Sequence, residues 1–337
     1  MIPFILYSKV SSVTGKALCQ ALGWDGGTKA PAKKPSVLFR WGCSYAPDLD
    51  LDVQDAGGIV FNPADSVAQT VNRRDMLFTI RDCVPHEHTL RVGRNPQIPS
   101  PLGYISRHMY GRWGNDIVDI SSGHQPTDYE GRFVVERWPG DFEVRVHLID
   151  GKSVAMQVKL RKDEEGNPIF ARTPGDTGAL NNLMIRNEDT GWHLYPLSTE
   201  QADELGIDKR ALRDVAKSCM RGFGLDYGCV DFLVRVPGSP MNNTNQQTFR
   251  VLELNSSPGL RGSTLDAYVR GLDALVSSEA STQRPREPRR VEGEEVQAIS
   301  YSADALESTI EQMNRIYRSR MFFSGIPSPT TWTTTPR

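Results

Sequence analysis

The chain has 337 residues, 38% of them hydrophobic and 24% charged, with a formal net charge of -2. That length is too great for one simple core and suits two or three lobes of an ordinary globular protein. The near-neutral balance excludes a global basic field for nucleic acid, and the longest apolar stretches are strand-sized, which excludes a membrane-spanning helix.

Five cysteines (Cys19, Cys43, Cys83, Cys219 and Cys229) are scattered, and no pair has metal-knuckle spacing. Free thiols in a reducing cytoplasm are expected. The start, "MIPFILYSKV", lacks a basic segment ahead of its apolar residues and reads as a first strand. "FILYSK" followed by "GKALCQALGW" predicts strand then helix, and "SVLFRWG" and "GGIVFN" predict two further strands. Residues 1–65 are therefore expected to form a small α/β unit with parallel strands. "SVAQTVNRRDMLFTIRDC" (66–83) reads as one helix with Val67, Val71, Met76 and Ile80 toward one side, stopped by Pro85. "HEH" at 86–88 reads as a loop entering a strand rather than a metal site.

The middle changes character. "RFVVERW" (132–138), "FEVRVHLID" (142–150) and "KSVAMQVKLRK" (152–162) predict three alternating strands of antiparallel sheet, with Asp150-Gly151 as a hairpin turn. "IDKRALRDVAKSCMRGFG" (207–224) predicts an amphipathic helix with Leu212, Val215, Cys219 and Phe223 in one stripe, capped by Gly222 or Gly224. Two strands follow, 228–236 and 248–255, joined by a polar loop, and then a helix from 263. Residues 277–299 are charged and nearly devoid of apolar side chains, so a flexible linker is expected there. Its "RPREPRR" is a local basic run that would touch nucleic acid, but the adjoining "EGEE" favours a solvated linker. A last helix is expected over 302–320, with Leu306, Ile310, Met313 and Tyr317 in a stripe that needs cover from the body, a second copy or a partner.

Chemistry concentrates in "VLELNSSPGL" (251–260). Strand alternation puts Val251, Glu253 and Asn255 on one face and Leu252 and Leu254 on the other. Glu253 and Asn255 then look into a cleft, roughly 7 Å apart by strand rise. Antiparallel pairing through the polar loop brings Asp231 beside them. Two carboxylates and an amide oxygen are hard donors that suit Mg²⁺ or Mn²⁺ rather than zinc, with nucleotide phosphates completing the shell. The competing reading is a strand with ordinary polar residues facing solvent.

"ELNSSPGL", with "GLDYGCVDFLV" upstream, resembles the metal-binding end of ATP-grasp enzymes. "RGSTLDAY" resembles the carboxylate–amine ligase branch found in phage-type members, and the likeness covers about residues 60–275. The resemblance implies an α/β ATP-grasp fold: a pre-ATP-grasp domain over 1–65, a small lobe over 66–140 and a large lobe with the metal site over 141–276. A linker (277–300) and a C-terminal helix and tail (301–337) follow. It implies a cytoplasmic ligase (host cytoplasm if phage-encoded) that uses ATP and Mg²⁺, activates a carboxylate as an acyl-phosphate and joins it to an amine. Amino acids, a peptide tail, a protein side chain or an amine-bearing base all fit as substrates.

Carried over residue by residue, Asp231, Glu253 and Asn255 would hold metal. Glu136, Arg137 and Trp138 would meet adenine. Glu143 would take the ribose hydroxyls, with Asp141 as the alternative and a solvent-facing strand position as the competing reading. Arg74 and Arg107 stand where the family offers lysines to phosphate, a departure that changes the contacts. Gly111 and Gly114 would belong to a loop over the phosphates. Arg145, Lys159, Arg161, Arg186 and Asn187 would act on the γ-phosphate, the acyl-phosphate or the carboxylate substrate. His147 either acts on the amine or is structural. The rival readings are an ATP-grasp kinase, a thiol ligase, and a scaffold that binds partners without catalysis.

Overall fold

A computed structural model describes residues 1–93, 103–110, 117–120, 131–138, 140–169, 186, 191–239, 242 and 244–282. The N-terminal part is a parallel sheet of β1 (Pro3–Tyr7), β2 (Asp25–Gly27), β3 (Val37–Trp41) and β4 (Ile59–Phe61), in the order β2-β1-β3-β4. Helix α1 (Val13–Leu22) follows β1; the Ser12 hydroxyl caps it by accepting from Gly15 N, and Gly23 ends it at φ 66°. Helix α2 (Asp48–Asp55) follows β3. Neither β2 nor α2 is signalled by its apolar pattern: β2 is Asp-Gly-Gly, and α2 alternates Asp with Leu49, Leu51 and Val53, the period of a strand rather than a helix.

The stretch predicted as one helix over 66–83 is two, α3 (Ala64–Ala68) and α4 (Arg73–Cys83). Asn72 makes the break: its side chain accepts from the backbone N–H groups of Arg74 and Asp75 and starts a new helix. Val71, predicted inward, is 48% exposed as a result. A 3₁₀ turn at His86–His88 leads into the short strand β5 (Val92–Gly93).

The three middle strands do not share a sheet. β8 (Arg132–Glu136) pairs with β5 and with β6 (Tyr104–His108), which pairs with β7 (Val118–Ile120), in an antiparallel sheet ordered β5-β8-β6-β7. β9 (Phe142–Ile149) and β10 (Lys152–Arg161) form the predicted hairpin, with Asp150 and Gly151 at φ 50° and 67°. They belong to a second antiparallel sheet, β11-β10-β9-β12-β13, with β11 (Trp192–Pro196), β12 (Tyr227–Arg235) and β13 (Thr248–Asn255).

Helices α5 (Thr199–Leu205) and α6 (Lys209–Gly222) connect β11 to β12. α6 covers one face of the five-stranded sheet, burying Leu212, Ala216, Cys219 and Met220 in the core that holds Val144, Val146, Val158, Val230 and Phe232. Gly224 ends α6: it sits at φ 63°, its N–H donates to Arg221 O (3.0 Å), and Leu225 N–H donates to Met220 O (2.9 Å). Gly222 has a different task, because a Cβ there would lie 2.0 Å from Cys83 Sγ.

Helix α7 (Ser263–Thr282) runs into the stretch expected to begin the linker at 277. It packs Tyr268, Leu272 and Leu275 into a second core with Ile5, Phe39, Trp41 and Phe61 of the N-terminal sheet and Ile149 and Tyr227 of the five-stranded sheet. Asn62 ties the same two sheets: its Nδ2 donates to Tyr227 O (2.9 Å), its Oδ1 accepts from Asp226 N (2.7 Å) and Tyr227 N (3.2 Å), and its own N–H donates to Asp226 Oδ2 (2.8 Å). Among the described residues no helix is long and apolar enough to cross a membrane. The last helix predicted over 302–320 lies outside the described residues.

Candidate active site

A cleft of about 900 Å³ lies between the two antiparallel sheets. Its polar floor follows from strand register. Gln157, Arg145, Asp231 and Glu253 stand directly opposite one another across β10, β9, β12 and β13. One step along is a row of Ala155, His147, Cys229 and Asn255; one step the other way are Lys159, Glu143, Leu233 and Arg250. Cross-strand neighbours on one face are the closest side-chain pairs a sheet offers, so the register alone assembles the charges.

The alignment of Asp231 with Glu253 depends on an irregularity. Phe232 pairs with Val251, so Leu252 is the extra residue of a bulge. Strict alternation, as expected from the sequence, would put Val251 beside Glu253. Instead Val251 is fully buried in the α6-side core with Leu254, and half-buried Leu252 lines the cleft.

Arg145 grips Asp231 through two bonds, Nε to Oδ1 at 2.6 Å and Nη2 to Oδ2 at 2.8 Å. The Asn255 amide reaches Asp231 Oδ2 (3.1 Å) and Glu253 Oε1 (3.4 Å). Arg73 Nη1 lies 3.1 Å and Arg107 Nη2 3.8 Å from Glu253 Oε2. Burial works against the Glu253 carboxylate, but Arg73 and Arg145 outweigh it and hold its pKa below the ordinary value. Burial pushes the Glu143 carboxyl up, against the opposing pull of Lys159, its salt-bridge partner. Burial favours loss of the Arg145 proton, yet its bond to Asp231 leaves the guanidinium pKa well above the usual value.

Arg161 and Arg186 both lie over the Trp192 ring, at 5.2 and 4.9 Å. Arg186 is buried; its Nη2 donates to Gly140 O (2.5 Å), whereas its Nε and Nη1 and the Trp192 Nε1 are buried without a hydrogen-bond partner among the described residues. Burial lowers the Arg186 pKa. These donors suit an anionic oxygen.

Glu136, Arg137 and Trp138 line the other end with Leu90, Ile105 and Val135, and Leu233 and Leu252 face them from the five-stranded sheet. Trp138 is buried with Arg235 3.9 Å from its ring. Of this slot only Glu136, Arg137 and Trp138 are expected from the sequence; Val135 and Leu233 have their signal in the alternation of "RFVVE" and "VDFLV".

Most of the other predicted residues are brought together as well. Asp231, Glu253, Asn255, Arg145, Lys159, Glu143, Arg107 and Arg186 surround one space. Arg74 is not part of it: it pairs with its neighbour Asp75 (2.9 Å), and Arg73 occupies the cleft. At the start of α4, adjacent residues point about 100° apart, so only one of the two arginines can face inward. Gly111, Gly114 and Asn187 lie outside the described residues. His147, on the same face as Arg145, is fully buried beside α7, between Gln157 Oε1 (2.9 Å) and Tyr268 Oη (3.2 Å), and burial together with Arg145 pushes its pKa down to about 3.

The donor set suits a hard divalent cation that also binds phosphate. Asp231, Glu253 and the Asn255 carbonyl oxygen, after an amide flip, supply three oxygen-donor groups, and Mg²⁺ is ordinarily held by one or two carboxylates plus phosphate and water. Among the described residues there is no group of three or more His, Cys, Asp or Glu side chains able to form a metal cage.

The closing face of the cleft is built by other elements. Ser8 after β1 and Gly42 after β3 line it together with Ser256, Ser257, Pro258 and Gly259 after β13. Gly42 has φ 62°, and a Cβ there would lie 2.2 Å from Ser257 Oγ. The order β2-β1-β3-β4 reverses direction between β1 and β3, and the carboxyl ends of such a pair form a natural crevice.

No family model matches the sequence, and no curated protein does. Solved structures do. The ATP-grasp ligase PsnB complexed with minimal precursor, Mg and ADP is 13% identical, with a TM-score of 0.51 over 82% of this chain and 96% of that one. The D-alanine–D-alanine ligase of Bacillus anthracis complexed with ATP is 11% identical, with a TM-score of 0.51 over 83% of this chain and 97% of that one. With its two antiparallel sheets around one cleft and its N-terminal parallel sheet, the chain has the ATP-grasp fold.

Proposed function

We propose that the cleft binds Mg²⁺-ATP and a carboxylate substrate and joins that carboxylate to an amine. The observation that carries this reading is the cross-strand alignment of Asp231 and Glu253, with Asn255 beside them, in a cleft lined by Arg73, Arg107, Arg145, Lys159 and Arg186. In the proposed reaction a carboxylate oxygen attacks the γ-phosphorus and ADP leaves. The amine nitrogen then attacks the acyl carbon, phosphate departs and the amine loses a proton. Bound at Asp231, Glu253 and Asn255, Mg²⁺ would supply Lewis-acid neutralisation of the phosphates.

The chain's own groups would do the rest. Leu233, Leu252, Ile105 and Val135 would enclose adenine beside Glu136 to Trp138. Glu143 would accept from the ribose hydroxyls once Lys159 turns to phosphate. Arg145, Lys159, Arg161 and Arg186 would stabilise the charge that spreads over the transferred phosphoryl group and the acyl-phosphate, which is most of what phosphoryl transfer requires. His147, neutral and enclosed, would position rather than exchange protons.

Peptides belong among the substrates to test, because PsnB is complexed with its precursor. The test is ADP and phosphate release from Mg²⁺-ATP in the presence of pools of amino acids and peptides. Release that depends on a pool and falls at least about 100-fold in Glu253→Gln supports the reading. Phosphate retained on the acceptor instead identifies a kinase, and nucleotide binding without turnover in any pool favours a scaffold.

A further inference from the structure

Each carboxylate of the candidate metal site already carries a cation. Asp231 is held by Arg145, its cross-strand neighbour, in a two-bond pair that belongs to the sheet itself. Glu253 is held differently. Arg73 reaches it from the first residue of α4, which packs against β13, and Arg107 from β6 in the facing sheet, so neither belongs to the sheet that carries Glu253. The hold is also incomplete: Arg107 approaches only to 3.8 Å, and its Nε is buried with no hydrogen-bond partner among the described residues. A guanidinium with unused donors at a cleft wall is ready for a second acceptor.

A bare divalent cation entering this site meets two carboxylates whose charge is offset by three guanidinium groups. Like-charge repulsion at these separations, in a partly buried cleft, opposes it. A cation arriving with nucleotide phosphates meets a different balance, because the phosphates give Arg73 and Arg107 new partners and release Glu253. We propose that Arg73 and Arg107 are exchangeable caps on Glu253, so that the carboxylate pair admits a divalent cation only together with a nucleotide. The proposal rests on the reading above that the cleft takes nucleotide phosphates. It assigns Arg73 and Arg107 a role in binding order beyond phosphate contact.

The test is calorimetric titration of the full chain with Mn²⁺ alone, with ADP alone, and with each in the presence of the other, at fixed ionic strength. The wild type should bind Mn²⁺ at least about 10-fold more tightly when ADP is present, and by reciprocity ADP equally more tightly when Mn²⁺ is present. Arg73→Gln/Arg107→Gln should gain about 10-fold in affinity for Mn²⁺ alone while losing ADP affinity. Arg73→Lys/Arg107→Lys, which keeps both charges, should retain the exclusion. Wild-type Mn²⁺ affinity indifferent to ADP, or a Gln double variant that folds and binds Mn²⁺ alone no better than wild type, overturns the proposal while leaving the ligase reading standing if ADP still binds. Failure of the wild type to bind ADP under any condition overturns both.

Discussion

Asp231 and Glu253 face each other across β12 and β13 only because the pairing slips by one residue at Leu252. The slip sets the candidate carboxylate pair and an apolar wall side by side, through adjacent residues of one strand. Deleting Leu252 should remove the bulge, leave Glu253 opposite Asp231 and take away one apolar wall residue, so nucleotide binding should weaken, while Leu252→Val should retain both the bulge and binding. Titration of both variants with nucleotide checks this; equal binding by the deletion variant contradicts it.

The Arg145–Asp231 pair is nearly enclosed, with side-chain exposures of 14% and 2%. Asp231→Ala leaves a buried guanidinium without its partner and should cost about 3–5 kcal/mol in stability. Urea unfolding measures it. A loss under 1 kcal/mol would mean that Arg145 finds another acceptor.

Asn62 offers a test of how the N-terminal sheet is joined to the rest. Its side chain makes three hydrogen bonds to the backbone at Asp226 and Tyr227, and it sits at φ 54°, a conformation that asparagine tolerates better than most residues. Asn62→Ala strips these buried groups of partners and should cost about 2–4 kcal/mol. A chevron or equilibrium melt would register the loss, and a near-neutral result would show that water replaces the amide.

His147 predicts a pH dependence. Its folded pKa, about 3, lies below the ordinary value of 6.5, so between these limits the unfolded chain binds a proton that the folded chain refuses. Stability is then fully present above pH 6.5 and falls as pH drops toward 3, by up to about 1.4 kcal/mol per unit from this group. Comparing urea midpoints at pH 7 and pH 5 in wild type and His147→Gln isolates the effect. An unchanged slope in the variant would assign the acid sensitivity to other groups.

Much of this architecture is legible in the chain. The β1, α1, β3 and β4 series, the Asp150-Gly151 hairpin and the α6 stripe each follow from periodicity and turn chemistry. The misses share a cause: they depend on partners remote in sequence. Asn72 reads as one polar residue in an amphipathic run until its cap geometry is seen, and β8 matches β9 in pattern although it pairs with β6. In the site, Glu253 and Asn255 announce themselves by their spacing. The choice of Arg73 over Arg74 is set by where α4 begins, and the place of Leu252 by a bulge that alternation cannot foresee.

Gly42 tests the closing side of the cleft. Gly42→Ala combines a positive φ with a clash against Ser257 and should displace the Ser256–Gly259 loop. Ser257→Gly should relieve the clash but leave the backbone strain, about 1 kcal/mol, in the double variant. Additive stability losses would show that the two residues do not touch.

The most direct measurement of the central claim is calorimetric binding of ATP to the wild type and to Glu253→Gln, with and without Mg²⁺. The account predicts that Mg²⁺ tightens wild-type binding by at least about 10-fold and that Glu253→Gln abolishes this gain while retaining Mg²⁺-free binding. Absence of wild-type binding, or binding indifferent to both Mg²⁺ and Glu253, would contradict it.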